Sequence, residues 1–537
     1  MAFVITQNCC TDASCVPVCP VDCIRPVPGE DAVTAPMLYI DPQACVDCGA
    51  CVEVCPVDAI RHEDELTDEQ ARFKDINAAY FAAQPLTVRP MSPISVPEPL
   101  EQGALRVAVV GAGPAGCYAV ADLIRTKGIE VNVFERLPTP FGLVRFGVAP
   151  DHQLTKDVTR TFASALSARE VTCFFNVAVG RDVTHDELMA HHHAVIYAVG
   201  ATGSRDLGIP GEQLDGVFAA GDMVAWYNGH PGHADDEFDL SSPRAVIIGN
   251  GNVALDVARV LVMNHDDLAA TDIAEHALTR LRDSAIDEVI VLGRRGAAHA
   301  AFSVGELLGL DNLREVDVAI DGDLGDRPQD FDGAIKYDII AEYAGRAPRP
   351  GHRRIVLRFG ARPVEVVGAD RVEGLEIADS EGTTIIGTSL VLRSIGYRGS
   401  AVDGLPFDDE AGIVPNDGGR VIRDGHPVPG VYVTGWIKRG PHGVIGTNRL
   451  CARETVANLL ADARGGLLPP AVSTTTELAT LLTSRDVTVV DWAGWRSIDA
   501  AERRHGEAVS RPRMKIVGLD ALLTTARLVD AGLPHHD

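Results

Sequence analysis

The apolar run Val107 to Val110 halts at Gly111, and Gly111, Gly113 and Gly116 follow in G-x-G-x-x-G spacing within VAVVGAGPAG. No other local pattern restricts this chain so tightly. An unbroken apolar run suits a strand buried on both faces of a parallel sheet. The first glycine permits the turn, the second lets backbone approach a pyrophosphate, and the third lets the next helix pack on the strand. The segment AGCYAVADLIRTKG reads as that helix, with its free N–H groups and dipole aimed at the phosphate. A second strand, Glu130 to Phe134, ends at Glu135, about 20 residues beyond the glycines, where a carboxylate can hold a ribose hydroxyl. The pattern predicts a dinucleotide site on Gly111, Gly113, Ala115, Gly116 and Glu135.

The logic repeats downstream. The strand RAVIIG runs into Gly249-Asn250-Gly251-Asn252-Val253-Ala254 and then the helix LDVARVL. Two such turns imply two nucleotides, a flavin and a nicotinamide. The following strand, EVIVLGRRG, ends in Arg294 and Arg295 where an NAD site would carry an acid. Paired guanidinium groups suit a 2′-phosphate, so the second turn is assigned NADP(H) and the first FAD. The fold class expected is α/β, with two Rossmann-like nucleotide-binding domains preceded by a small α+β module.

That module is defined by sulfur. Of 12 cysteines, nine lie between Cys9 and Cys55, and Cys45, Cys48, Cys51 and Cys55-Pro56 form C-x2-C-x2-C-x3-C-P. This run serves iron–sulfur clusters, its fourth thiolate belonging to the other cluster of a pair. A structural zinc site would leave both Cys-Pro units unexplained. Clustered thiols also point to a reducing cytoplasm, and no basic n-region or apolar core marks a signal peptide. A formal charge of −27 argues against nucleic acid and anionic membrane as partners. No apolar run reaches the ~18 residues of a spanning helix, so no membrane insertion is expected.

On AFVITQNC, CPVDC and MLYIDPQACVDCGACVEVCPVDAI, residues 1–83 resemble a seven-iron bacterial ferredoxin. The resemblance implies a [4Fe-4S] cluster on Cys19, Cys45, Cys48 and Cys51 and a [3Fe-4S] cluster on Cys9, Cys15 and Cys55. Asp12 stands where the symmetric two-cluster pattern has a cysteine; it is open to hold a fourth iron, which would make a second [4Fe-4S] cluster, and Cys10 competes with Cys9. Cys23 is a spare thiol. Residues 64–83 read as a helix with an apolar stripe of Leu66, Phe73, Ile76 and Tyr80, and residues 84–104, with five prolines, as a semi-extended linker.

FGLVRFGVAPDH and GWIKRGPHGVIGTN resemble the adrenodoxin reductase family of NADPH–ferredoxin reductases. No cysteine lies between Cys117 and Cys173, so dithiol chemistry near the flavin is excluded. The resemblance adds Leu143, Val179, Trp436, Gly443, Val444 and Ile445 to the FAD set, and Gly443 to that of NADP. It places Glu306 at the nicotinamide end, with His152 in proton transfer or in a positional role and Asp256 in a functional or a capping one. It divides the remainder into an FAD domain (105–205 and 400–465), an NADP domain (206–399) and a C-terminal cap (466–537). Residues 315–395 read as β-rich, His191 to His193 as a polar loop, and Asp222 in GVFAAGDM as structural.

The activity implied is that of a ferredoxin–NADP(+) reductase: hydride from NADPH to FAD, then single electrons to the fused clusters or a separate ferredoxin, and on to an acceptor such as a cytochrome P450. The alternative is an electron-entry subunit of a larger oxidoreductase, like glutamate synthase small subunits. The sequence leaves the oligomeric state open.

Overall fold

The computed structural model describes residues 2–29, 36–87, 98–101 and 103–528, so most of the Pro-rich connector, with Pro90, Pro93 and Pro97, lies outside the described residues. Two sheets organise the rest, one mixed and one parallel. The first orders Asn416–Asp417, Arg420–Arg423, His426–Val433, Ala194–Tyr197, Leu105–Val110, Ile129–Glu135 and Val171–Phe175. Its centre is the apolar run of the first glycine turn, with Val107 in register with both Val131 and Ala194. Residues 107–110 are buried throughout, which explains why no polar alternation marks them. The last long strand, His426–Val433, returns from the second domain to lie parallel to Ala194–Tyr197.

The second sheet orders Val217–Ala219, Leu390–Arg393, Arg244–Ile248, Glu288–Gly293, Arg353–Phe359 and Val316–Asp321, all parallel. A three-stranded antiparallel sheet, Arg362–Val367, Gly374–Asp379 and Gly382–Gly387, flanks it. The stretch expected to be β-rich also holds a helix of 14 residues, Phe331–Ala344, its first turn capped by Asp330 accepting from Gly333 N. Where the chain passes between domains, Gly203–Ser204 pairs antiparallel with Tyr397–Arg398.

In the N-terminal module, Phe3–Ile5 pairs with Ile60–His62 and Ile24–Arg25 with Tyr39–Ile40. The helix behind them is Arg72–Ala83, shorter than the expected 64–83. The acidic Glu63–Glu65 instead makes a 3-10 turn that ends where Leu66 turns extended (φ −68°, ψ 133°). Asn77 keys the helix to the strands, its amide donating to Ile5 O at 2.9 Å and accepting from Ile40 N at 2.9 Å. The module is packed on its neighbour: Phe331 stands edge-on to both Tyr39 and Tyr80, centroids 5.7 and 5.4 Å apart.

His191 to His193 are not a polar loop. His191 closes the helix His185–His191, and His192 is fully buried. Its Nδ1 faces Leu188 O at 2.7 Å and its Nε2 faces the Asn132 amide nitrogen at 2.9 Å. An amide nitrogen only donates, so Nε2 accepts and Nδ1 carries the proton. Burial drives its pKa down to about 4. The local run of polar letters misleads because burial here is decided by the strand Ile129–Glu135, remote in sequence.

The C-terminal region is built into both domains. Val490 bridges antiparallel to Phe175 at the edge of the first sheet. The helix Trp492–Glu507 presents Glu502 to Arg145 in a buried two-pronged pair and to Arg513 at 2.9 Å. Lys515 reaches Asp272 at 3.0 Å and Asn228 at 3.1 Å, while Lys156 takes the other Asp272 oxygen at 2.6 Å. This ties the FAD domain, the NADP domain and the cap at one buried carboxylate.

Candidate active site

A cavity of about 1220 Å³ runs between the two sheets. The first glycine turn opens on it. Gly111 has φ +103°, and a Cβ there would meet Ala198 O at 2.6 Å. Gly116 lies against the Gly111 carbonyl, so only glycine lets the helix Pro114–Leu123 sit so close. Gly113 faces nothing nearer than Gly142 Cα at 3.9 Å, which leaves its surface open to a phosphate. Glu135 accepts from Ala112 N at 2.9 Å and Leu137 N at 3.1 Å. Burial raises its pKa against these two amides.

Of the flavin set, Gly111, Gly113, Ala115, Glu135, Leu143, Val179, Trp436, Gly443, Val444 and Ile445 line this cavity, and Gly116 lies behind it in the helix packing. Two features suit a flat polar ring system there. Trp436 Nε1 is buried with no hydrogen-bond partner among the described residues. The turn Gly443 to Ile445, which leads into the helix Thr447–Arg464, lines the same end of the cavity. Asp222 lies outside the cavity and accepts from Ala219 N at 3.2 Å, capping the helix Ala220–Tyr227.

At the other end, Asn252, Val253 and Glu306 line the wall, whereas Gly249, Asn250, Gly251, Arg294 and Arg295 lie beyond it, past the carboxyl ends of the inner strands Arg244–Ile248 and Glu288–Gly293. Gly249 (φ +112°) is pressed on the Ser394 carbonyl, while a methyl on Gly251 would have nothing within 4 Å, leaving a surface on which a pyrophosphate can rest. Arg294 and Arg295 are exposed and have no ion-pair partner among the described residues. Asn252 Oδ1 accepts from Ser303 N at 2.8 Å, and Ser303 caps the helix Val304–Gly309 that carries Glu306. The turn thus positions the acid.

Between the two ends lies a residue that the sequence does not single out. Arg259 is 1 % exposed. Its Nε donates to Asp151 at 2.9 Å, Nη1 to Glu306 at 2.6 Å, and Nη2 to Asp256 at 2.5 Å and to His152 Nε2 at 2.7 Å. Asp256 is therefore a partner of this guanidinium rather than a helix cap. A guanidinium cannot accept, so the His152 lone pair is at Nε2 and its proton at Nδ1, 3.7 Å from Glu306 Oε1. Ligand atoms of His152, Asp256 and Glu306 fall within 4.8 Å of one another, a spacing that invites a metal, but the cation there is Arg259. Burial and the Glu306 charge push the Asp256 pKa up; Asp151 is held down by Arg259 and His152 against its own burial. The signal available in the sequence is the pair Asp256 and Arg259 inside an otherwise apolar helix, Asn252–Val262.

The thiols form two groups. Cys19, Cys45, Cys48 and Cys51 surround a small hollow under Phe3 and Ile40, together with Cys23. The Cys23 thiol lies 3.5 Å from Cys19 Sγ, and this hydrogen bond holds the Cys19 pKa below its ordinary value. Cys9, Cys15 and Cys55 form the other group, each close enough to the others for its charge to be felt. Backbone amides point at sulfur in both: Leu38 N to Cys9 at 3.5 Å, Ala59 N to Cys55 at 3.3 Å, Cys23 N to Cys19 at 3.4 Å. Such N–H···S bonds are the usual means of setting cluster potential. Cys10 is buried against the core of the FAD domain, and its thiol too stands near enough to Cys9 and Cys55 for their charges to be felt. The Asp12 carboxylate accepts from Arg449 at 3.0 Å, Ser14 N at 2.9 Å and Tyr118 at 3.4 Å, so it is already engaged.

Comparison with known proteins finds an iron–sulfur match near the N-terminus and relatives over the whole chain. Residues 38–61 match the 4Fe-4S binding domain family, and residues 105–291 match the pyridine nucleotide-disulphide oxidoreductase family. A probable ferredoxin/ferredoxin–NADP reductase of Mycobacterium tuberculosis is 49% identical over 98% of this chain and 95% of its own. Its Mycobacterium leprae counterpart is 46% identical over 99% of each. Among solved structures, M. tuberculosis FprA in complex with NADPH aligns with a TM-score of 0.75 and 43% identity, covering 79% of this chain and 99% of that one. Among the described residues, no helix is long and apolar enough to cross a membrane.

Proposed function

The chain belongs to the ferredoxin/ferredoxin–NADP reductase family, and we propose that it carries electrons from NADPH through FAD to two clusters of its own and thence to an external one-electron acceptor. It is an FAD-dependent oxidoreductase that takes NADPH as donor and reduces ferredoxin. The observation that carries the finer reading is continuity: one cavity has the first glycine turn at one end, Asp256 and Glu306 at the other, and Cys9 and Cys10 in its wall. FAD, when bound, supplies the exchange between a hydride and single electrons. The relatives that span the whole chain carry the reductase name, which favours this activity over that of an electron-entry subunit.

The protein's own residues position the partners. Gly111, Gly113 and Glu135 hold the flavin nucleotide, and Trp436 with Gly443, Val444 and Ile445 meet its ring. Gly251, Asn252 and Val253 take the NADPH pyrophosphate, and Arg294 and Arg295 its 2′-phosphate. Glu306 lies at the nicotinamide, held by Arg259. His152, whose basic nitrogen is occupied by Arg259, orients Glu306 rather than shuttling a proton.

The iron centres are a [4Fe-4S] cluster on Cys19, Cys45, Cys48 and Cys51 and a [3Fe-4S] cluster on Cys9, Cys15 and Cys55. Three-iron composition is supported by the engagement of Asp12 with Arg449, Ser14 and Tyr118. The N-terminal module carries 14 acids against four bases in residues 1–83, which supports an acceptor protein with a basic face, such as a cytochrome P450. The twelve free thiols accord with a reducing cytoplasm. Low-temperature electron paramagnetic resonance of the as-isolated protein tests the assignment. An oxidised three-iron signal with seven irons per chain is expected; eight irons and no such signal would overturn it. Cys48→Ser is expected to abolish NADPH-driven cytochrome c reduction while leaving ferricyanide reduction in place.

A further inference from the structure

The N-terminal module does not merely lie beside the reductase; its first cysteine loop forms part of the reductase cavity. Gln7, Asn8, Cys9 and Cys10 line the same cavity as Trp436 and Ile445. Gly446 N, at the start of the helix Thr447–Arg464, donates to Cys10 O at 2.8 Å. A methyl on Gly446 would overlap the Thr11 carbonyl and the Asp12 nitrogen, so backbone meets backbone there. One turn along the helix, Arg449 Nη1 donates to Asp12 O at 2.8 Å, to Asp12 Oδ2 at 3.0 Å and to Ser14 Oγ at 2.6 Å. Asp12 is 6 % exposed and Tyr118, from the first flavin helix, also points at it. The other thiol group has the opposite setting: Cys48 is exposed, and Val46 beside it is 56 % exposed.

Resting on the function read above, we propose that the loop Cys9 to Asp12 is the electron junction between the flavin cavity and the clusters, with Arg449 as the residue that positions it. The Cys9, Cys15 and Cys55 site is then first in line, and the Cys19, Cys45, Cys48 and Cys51 site is second and faces the acceptor. The balance is simple. NADPH yields NADP(+), one proton and two electrons; each site takes one electron, the proton goes to solvent, and no protein bond is made or broken. Arg449 does not line the cavity. Its carboxylate partner is buried and comes from the other module, so its work is to fix a distance.

Two variants of the holoenzyme test this. Arg449→Ala removes the tie, and Gly446→Ala places a methyl between loop and helix. In single-turnover stopped flow, the rate of flavin bleaching by NADPH is expected to stay within about twofold of the parent, whereas later bleaching at the cluster absorbance slows roughly ten- to a hundredfold, the scale of a 1 Å misplacement. Arg449→Lys is expected to restore part of the second rate. Hydrogen exchange supplies a readout independent of turnover: amides of residues 9–14 should lose protection in Arg449→Ala while those of residues 72–83 keep it. Cluster reduction at the parental rate in both variants, with the loop deprotected, would overturn the junction. Loss of the first phase as well would contradict the NADPH-to-flavin reading itself and not the junction alone.

Discussion

Arg259 reaches Glu306 across 47 positions of chain, its Nη1 donating to Glu306 Oε2 at 2.6 Å. The pair is the centre of a buried cluster of one cation and three carboxylates, Asp151, Asp256 and Glu306. Removing the cation leaves three carboxylates uncompensated, and breaking a buried pair costs about 3–5 kcal/mol. Arg259→Ala is expected to lower the urea midpoint by that scale and to slow NADPH-driven flavin reduction by at least roughly tenfold. Arg259→Lys should recover little of either, since a single ammonium cannot span four acceptors.

The two glycines of the second turn should respond in opposite ways to the same methyl. Gly249→Ala meets the Ser394 carbonyl and requires a left-handed φ of +112°, so the protein should lose several degrees of Tm. Gly251→Ala meets nothing in the protein, so Tm should hold while KM for NADPH rises roughly tenfold or more, the methyl occupying the pyrophosphate surface. Equal effects on Tm would contradict this division of labour.

Arg294 and Arg295 are exposed guanidinium groups. If they grip a 2′-phosphate, replacing both by alanine removes charge-assisted bonds worth about 1.5–3 kcal/mol each. KM for NADPH should rise on the order of a hundredfold, KM for NADH should stay near its starting value, and the ratio of the two is the measurement.

His192 gives a pH signature. Its pKa is depressed by burial to about 4 from an ordinary 6.5, so the unfolded chain binds the proton first. The stability it contributes is complete above pH 6.5 and declines as pH falls towards 4, by at most roughly 3 kcal/mol. His192→Gln should be less stable at neutral pH but lose less on acidification, as read from urea midpoints across that window.

At the domain tie, Asp272→Asn should destabilise far more than Lys515→Met. The first leaves Lys156 and Lys515 as buried unpaired cations; the second leaves Asp272 still paired with Lys156 at 2.6 Å. Burial opposes the Asp272 charge, but the two lysines hold its pKa well below the ordinary carboxylate range. Its contribution is therefore present above about pH 4 and lost only under strong acid; burial already holds Lys156 and Lys515 below the ordinary ammonium range, so Asp272→Asn should recover stability relative to Lys515→Met as pH rises and the lysines shed their protons.

What is legible in the sequence is what is local. Gly111 to Gly116 and Gly249 to Ala254 announce their turns because the constraint spans six residues, and Cys45 to Cys55 do the same for iron. Partnerships decided by packing leave no such mark. Asp12 meets Arg449 across 437 positions, Lys515 meets Asn228 across 287, and Arg145 meets Glu502 across 357. His192 reads as polar until Asn132 is found opposite it. The helix Phe331–Ala344 escapes notice because its surroundings are strands and its apolar residues alternate weakly with polar ones.

Phe331 stands edge-on to the stacked pair Tyr39 and Tyr80, and the buried residues of the N-terminal module and of the NADP domain form one uninterrupted apolar body. Cutting the chain after the module would therefore not divide it into a carrier and an enzyme. Each fragment would expose apolar surface that the other now covers, because the boundary in sequence has no counterpart in the packing of the interior.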